Sequence, residues 1–154
     1  MNTFAQSEFI VSHTRCLALS FKQWTGRDLL PGNFSPLDLA AKIFDASFVV
    51  VSHGTQPDPI LNYGNRAALA LWELSWEEFT QTPSRLTAEA PKREERGKLM
   101  EVVTRRGFFE NYSGIRVSKT GRRFEISGAT IWNLISGSGH FAGQAATFSE
   151  WKFL

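Results

Sequence analysis

Cysteine is nearly missing from this chain. A single residue among 154, Cys16, excludes any internal disulfide, which suits a reducing compartment. Net charge is also small. Seventeen Lys and Arg against fifteen Asp and Glu leave +2, too little to argue for a nucleic-acid or membrane surface. Long apolar runs are absent as well. The longest clean run near the middle, Phe48-Val49-Val50-Val51, is far short of the roughly 20 residues a membrane span needs. The first residues show no apolar stretch ending in a small-residue cleavage site, so no signal peptide is expected. There is no internal repeat and no low-complexity segment. These absences place the chain as a cytoplasmic protein of one structural unit.

Aromatic side chains are abundant instead, 13% of residues with five Trp and thirteen Phe. Such residues bury large areas, which predicts a bulky core or a lined cavity. Hydrophobic spacing predicts a first helix over 7–24, with Phe9, His13, Cys16, Leu17, Ser20 and Trp24 near one face, Ile10 and Phe21 beside them, and Gly26 as its stop. Residues 27–34, with Pro31-Gly32, read as a connector. Residues 1–34 are therefore taken as an N-terminal helix and connector, and 35–154 as the domain proper.

Ser35 caps a second helix with Pro36 at its first position and a stripe of Leu37, Ala40, Ala41 and Phe44. Strands at 48–51 and 60–63 flank a Pro- and Gly-marked turn and read as a hairpin. Asn65 caps a short helix to about Trp72, and Ser75 to Glu78 forms a capping box. Residues 82–90 are irregular. Residues 91–106 read as a surface helix with Glu94–Lys98 and Glu101–Arg105 pairs and Leu99, Val102 and Val103 facing inward. Strands at 108–117, 123–135 and 140–151 follow, joined by short turns, hence an antiparallel meander. The whole is an α+β domain with a five-stranded antiparallel sheet, short helices on one face and an N-terminal helix.

The fourth strand is apolar on both sides. Strict alternation puts Phe124, Ile126 and Trp132 on one face and Ala129, Ile131 and Ile135 on the other. The second face therefore needs a cover. The N-terminal helix can supply it, from its own protomer or from a partner in a homodimer.

Two segments resemble the PAS signature of a strand, an Asn-capped helix and a second capped turn: residues 60–68 and 75–79. Gly121 to Glu125 and Gly143 to Thr147 resemble the last PAS strands. Further stretches narrow the resemblance to the MEKHLA family. They are Trp24 to Leu29, Val51 to Thr55, Pro83 to Leu86, Gly114 to Arg116 and Ala129 to Leu134. The resemblance runs from about Ser12 to Trp151. It implies a PAS-like fold of the stand-alone bacterial type and a sensory or binding role. It brings no catalytic residue set. The family also includes the C-terminal domains of plant homeodomain–leucine zipper transcription factors, but this sequence has neither homeodomain nor zipper, so no nucleic-acid role carries over.

Metal ligation finds little support: His13, His53, His140 and Cys16 show no spacing of a four-ligand site. No nucleophile elbow or paired-carboxylate pattern is present, so the chain is read as a non-enzyme. Photosensory PAS domains carry a reactive Cys within an Asn-Cys-Arg helix. Cys16 lies outside the PAS-like region, so no covalent flavin is expected. Haem, which would need an axial ligand such as His53, is disfavoured. The cofactor is otherwise open.

A small-ligand pocket is the sharper expectation. Ala142, Gly143, Ala145 and Ala146 leave little side-chain volume in the last strand, so either a helix comes close or space remains. Trp72, Arg85, Tyr112, Arg116, Trp132 and Asn133 are the candidate walls and polar groups. Arg85 or Arg116 would clamp a carboxylate. The sequence therefore predicts a module that binds a small molecule and signals in trans through a protein partner. The alternatives are a pure interaction or dimerisation module with a filled core, and a cone-shaped α+β enzyme fold of the nuclear-transport-factor type. The helix between strands two and three argues against the last.

Overall fold

The computed structural model describes residues 7–88 and 93–154, with backbone alone for 93–97 and Met100. Helix α1 spans Glu8–Thr25. The Ser7 side chain caps it by accepting from the Ile10 amide, and Gly26 ends it at φ 75. Helix α2, Pro36–Phe44, starts on the Ser35 cap. Strands β1, Val49–His53, and β2, Leu61–Gly64, form the expected antiparallel hairpin. Helices α3, Arg66–Trp72, and α4, Trp76–Phe79, start on Asn65 and on the Ser75–Glu78 capping box. A 3-10 turn at Ser84–Thr87 and helix α5, Arg93–Arg106, lead to β3, Phe108–Val117. Strands β4, Arg123–Ile135, β5, Phe141–Phe148, and β6, Glu150–Phe153, complete the chain.

The sheet order is β2-β1-β5-β4-β3, and β6 pairs with the first part of β4. The last predicted strand is therefore two. β5 runs along Thr130–Ile135, and β6, after a break at Ser149, runs along Phe124–Ser127. Pro91 and Lys92, the predicted start of α5, lie outside the described residues, as does the Glu94 side chain. Val103 is buried as expected, but Glu101 and Arg105 do not close into an ion pair.

Two cores sandwich the sheet. On one face α1 and α2 pack Ile10, Leu17, Phe21, Ala40 and Ile43 onto Val50, Tyr63, Trp132 and Leu134. On the other, α3 and α4 pack Leu71, Trp72 and Phe79 onto Val49, Phe124, Ile126 and Phe148. The cover of the second face thus comes from the chain's own α1. The buried line of α1 takes Leu17 and Ser20 from the predicted face and Ile10 and Phe21 from beside it, with Thr14 added, while Phe9 is exposed and stacks on His13. Leu37 likewise stays exposed on α2, and Ile43 is buried instead.

Polar contacts lock α1 in place. The Ile135 amide donates to the Ser20 hydroxyl at 2.9 Å, and the Trp24 indole N–H donates to the Asn133 carbonyl at 2.9 Å. Deeper, His13 Nε2 meets the Ser52 hydroxyl at 2.8 Å, and that hydroxyl donates to Asn62 Oδ1 at 2.5 Å. Buried Asn65 is the other anchor. Its Oδ1 accepts from the Val50 and Ala68 amides, and its Nδ2 donates to the Ile43 and Phe48 carbonyls. One side chain thus ties α2, β1 and α3 together.

Strict alternation fails in β4. Gly128 adopts φ 65, and the pairing steps from Tyr112↔Ala129 to Gly114↔Ile126, three residues in β4 against two in β3. This bulge adds one residue to β4 and exchanges the faces beyond it. Phe124, Ile126 and Ala129 therefore share one core, while Trp132 and Leu134 belong to the other. The expectation that Trp132 points with Phe124 and Ile126 is corrected by that extra residue.

Candidate functional site

On the face away from α1, a segment straps across the sheet from one edge to the other. Near β2, Pro83 bridges to Ile60, and the Ser84 amide donates to the Pro59 carbonyl at 2.8 Å. Near β3, Ala88 bridges to Arg116. Midway, the Trp72 indole N–H donates to the Thr87 carbonyl at 3.1 Å. These bonds satisfy the backbone of a stretch that reads in sequence as irregular.

Under this strap lies a cavity of about 120 Å³. Its sheet side is made by Val51, Ile126, Ile131, Ala146 and Phe148, and its helix side by Trp72 and Phe79. Polar atoms come from Ser84 and Thr87 of the strap, and from His53, Gln144 and Arg116 of the strands. An apolar body with a few convergent polar groups is the usual make-up of a small-molecule site.

The small residues of β5 divide their work between the two faces. Ala142 and Ala145 lie under the α1 core, while Ala146 leaves open the space that becomes the cavity. Gly143 serves neither purpose. At φ 127 it lets β1 approach so closely that a Cβ would stand 2.2 Å from the His53 carbonyl oxygen.

Of the six predicted site residues, the structure brings three to the cavity or its rim. Trp72 and Arg116 line it. Tyr112 holds Arg116, whose guanidinium carbon lies 5.3 Å from the Tyr112 ring centroid and whose Nη1 donates to the Tyr112 hydroxyl at 3.4 Å. Asn133 stands one layer back: its Oδ1 accepts from Gln144 Nε2 at 3.4 Å, and its Nδ2 donates to the Val103 carbonyl. Arg85 does not face the cavity. It is exposed on the strap and pairs with Asp58 at 3.2 Å. Trp132 lies on the opposite face, edge-on to Phe21 at 5.0 Å, because of the Gly128 bulge. Sequence reasoning missed Gln144, Ser84 and Thr87. The only available signal was their proximity in sequence to the small residues of β5 and to the Pro83 turn.

No reactive constellation gathers at the site among the described residues. Ser52 and His13 touch, but the Ser52 proton goes to Asn62, and both side chains lie in the α1 core. Burial pushes the Cys16 thiol up and away from its nucleophilic form, against a smaller opposing pull from Ser20. Among the described residues no three His, Cys, Asp or Glu cluster as a metal site would. The basic β3–β4 turn is engaged locally: Lys119 pairs with Glu78, and Arg122 lies 4.0 Å over the Phe153 ring. Lys119, with help from the Ser75 amide, holds the Glu78 carboxyl down at about 2. No helix among the described residues is long and apolar enough to cross a membrane.

The antiparallel sheet of order β2-β1-β5-β4-β3 with short helices against it is a PAS-like fold. The MEKHLA domain model matches residues 11–153, and the chain belongs to the MEKHLA family. No curated protein matches. Among solved structures, the chain is similar to a PAS domain from Colwellia psychrerythraea at TM-score 0.62 and 16% identity, over 78% of this chain and 98% of that one. It is similar to an RNA-binding Light-Oxygen-Voltage receptor at TM-score 0.63 and 21% identity, over 77% of this chain but 34% of the receptor. The fungal blue-light photoreceptor Vivid aligns at TM-score 0.59 and 16% identity, over 87% of this chain and 94% of Vivid. At these identities the likeness is one of fold.

Flavin, named with a similar Light-Oxygen-Voltage domain at TM-score 0.51 and 18% identity, does not fit the residues present. A cavity of roughly 150 Å³ holds a single benzene ring, so the three fused rings of a flavin need roughly three times that volume. The space here is about 120 Å³. The lone thiol, Cys16, sits on the opposite face, donating to the Ile135 carbonyl at 3.4 Å.

Proposed function

We propose that this chain is a sensory module that binds a small molecule in the strapped cavity and reports its presence by contact with a protein partner or a second copy of the chain. The observation that carries this reading is the cavity itself, an apolar space with Arg116, Gln144 and His53 in its wall. The absence of a nucleophile–base pair or carboxylate pair among the described lining residues supports binding rather than catalysis. Native mass spectrometry of freshly purified protein tests it, together with thermal shifts across small acids, alcohols and amides. A bound mass or a shift, abolished by filling the cavity with Ala146→Leu, is the expected result. No bound mass and no shift would overturn the reading.

A pure interaction module is the second reading. Phe9 and Leu19 are more than half exposed beside an open groove between α1 and the β4–β5 turn, and Phe141 is exposed as well. Outward apolar residues of this kind favour a protein contact.

A further inference from the structure

We infer that the ligand of the cavity is a small monocarboxylic acid, with an apolar body no larger than one six-membered ring, held by Arg116 at the β3 edge; this rests on the cavity reading above. Charge is the first argument. Arg27, Arg66 and Arg85 each meet a carboxylate, on Glu110, Asp45 and Asp58. Arg116 meets none among the described residues. Its partners are neutral: the Tyr112 ring and hydroxyl, and the Ile115 carbonyl at 3.2 Å. A guanidinium offers five N–H donors in a planar fork. The donors left over at an apolar wall match a carboxylate, the planar anion that Arg binds in bidentate fashion.

Arg116 is also held in place before any ligand arrives. Tyr112, Gly114 and Arg116 share one face of β3, and a Cβ at Gly114 would stand 2.6 Å from the Tyr112 hydroxyl. The missing side chain lets the tyrosine ring lie along the strand and carry its hydroxyl to Arg116. That hydroxyl accepts from the guanidinium, which leaves its own proton free for a ligand oxygen.

Charge count and size then narrow the class. No second Lys or Arg is among the described lining residues, so one negative charge is matched, not the two of a phosphate monoester or a dicarboxylate. The volume of about 120 Å³ is a little under the roughly 150 Å³ that holds a benzene ring, so it takes a short branched chain whole, or one ring whose carboxylate-bearing edge stands at the open rim. Gln144 and the strap residues Ser84 and Thr87 leave room for one further polar group on that body.

Isothermal titration calorimetry of the full chain with benzoate, isobutyrate and neutral benzamide tests the class. The expected result is that at least one of the two acids binds, and that benzamide binds at least about tenfold more weakly than benzoate. Arg116→Met should weaken the acid by at least about tenfold without changing benzamide. Arg85→Met, on the surface, should change neither, and circular dichroism should show both variants folded. If benzamide binds as well as benzoate, or Arg116→Met leaves the acids unaffected, the acid class is overturned and the cavity reading stands. If no probe binds and the purified protein carries no bound mass, both fall together.

Discussion

His13 should make the fold acid-sensitive, and the structure sets the size of the effect. The ring lies between Phe9, at 5.2 Å between centroids, and Tyr63, at 5.6 Å, beneath the body of α1. The Ser52 proton is committed to Asn62, so His13 Nε2 must donate to Ser52, and the neutral ring keeps its other nitrogen bare. Protonation there places a charge in an apolar slot with no carboxylate against it. Burial accordingly lowers the His13 pKa from 6.5 to about 4. The folded value lies below the unfolded one, so the unfolded chain takes up the proton first. Stability is complete above about 6.5 and drains away as pH falls toward about 4. The full difference corresponds to about 3 kcal/mol, of which about 2 kcal/mol is lost by pH 5.

The perturbation is His13→Gln, which keeps a donor for Ser52 and cannot titrate. Urea unfolding, followed by tryptophan fluorescence at several pH values from 7.5 to 4.5, reads the result. The variant starts from a lower stability because it loses two ring contacts. Glu73 and Glu78, both held below the ordinary carboxylate value, titrate alike in both proteins and cancel in the difference. Wild type should therefore lose about 2 kcal/mol more than the variant between pH 7.5 and 5. Parallel pH profiles would refute the argument and mean that His13 is protonated, or solvated, within the native fold.

Two further perturbations probe the scaffold. Asn65→Ala removes four hydrogen bonds that join α2, β1 and α3 and leaves their buried backbone groups unpaired. A loss of about 3 kcal/mol or more is expected in the same urea assay, and a loss below about 1 kcal/mol would contradict the role given to this residue. Gly143→Ala forces a Cβ against the His53 carbonyl at a left-handed φ, which should cost about 3 kcal/mol and shift the amide resonances of β1 and β5 more than those of β3.

Much of this architecture was legible because its signals are local. Ser35, Asn65 and Ser75 mark helix starts by side chains that bond three residues ahead, and Gly26 marks an end by a backbone angle few other residues adopt. What stayed hidden depends on distant partners. Nothing near Arg85 reveals that Asp58, 27 residues earlier, will take its charge, nor does anything near Arg116 reveal that its partners among the described residues will be neutral. The contact between His13 and Ser52 spans 39 residues. The strap looked structureless because its order comes from bridges to β2 and β3 rather than from any periodic pattern of its own.

Gly128 gives β4 the logic of a reading frame. Ahead of the bulge, even-numbered side chains such as Phe124 and Ile126 face the cavity side; beyond it, even-numbered Trp132 and Leu134 serve the α1 side instead. Flattening the bulge without removing a residue would direct every side chain beyond it to the wrong core, whereas deleting the extra residue would restore strict alternation with both faces kept. Insertions and deletions are ordinarily mild in hairpins and severe in strands, and here severity has a direction, since a one-residue change that the bulge does not absorb would push an indole into the space meant for a ligand. Comparisons among related chains should therefore be aligned on this glycine first, because omitting a one-residue gap there exchanges the residues that line the cavity with those that anchor the helix.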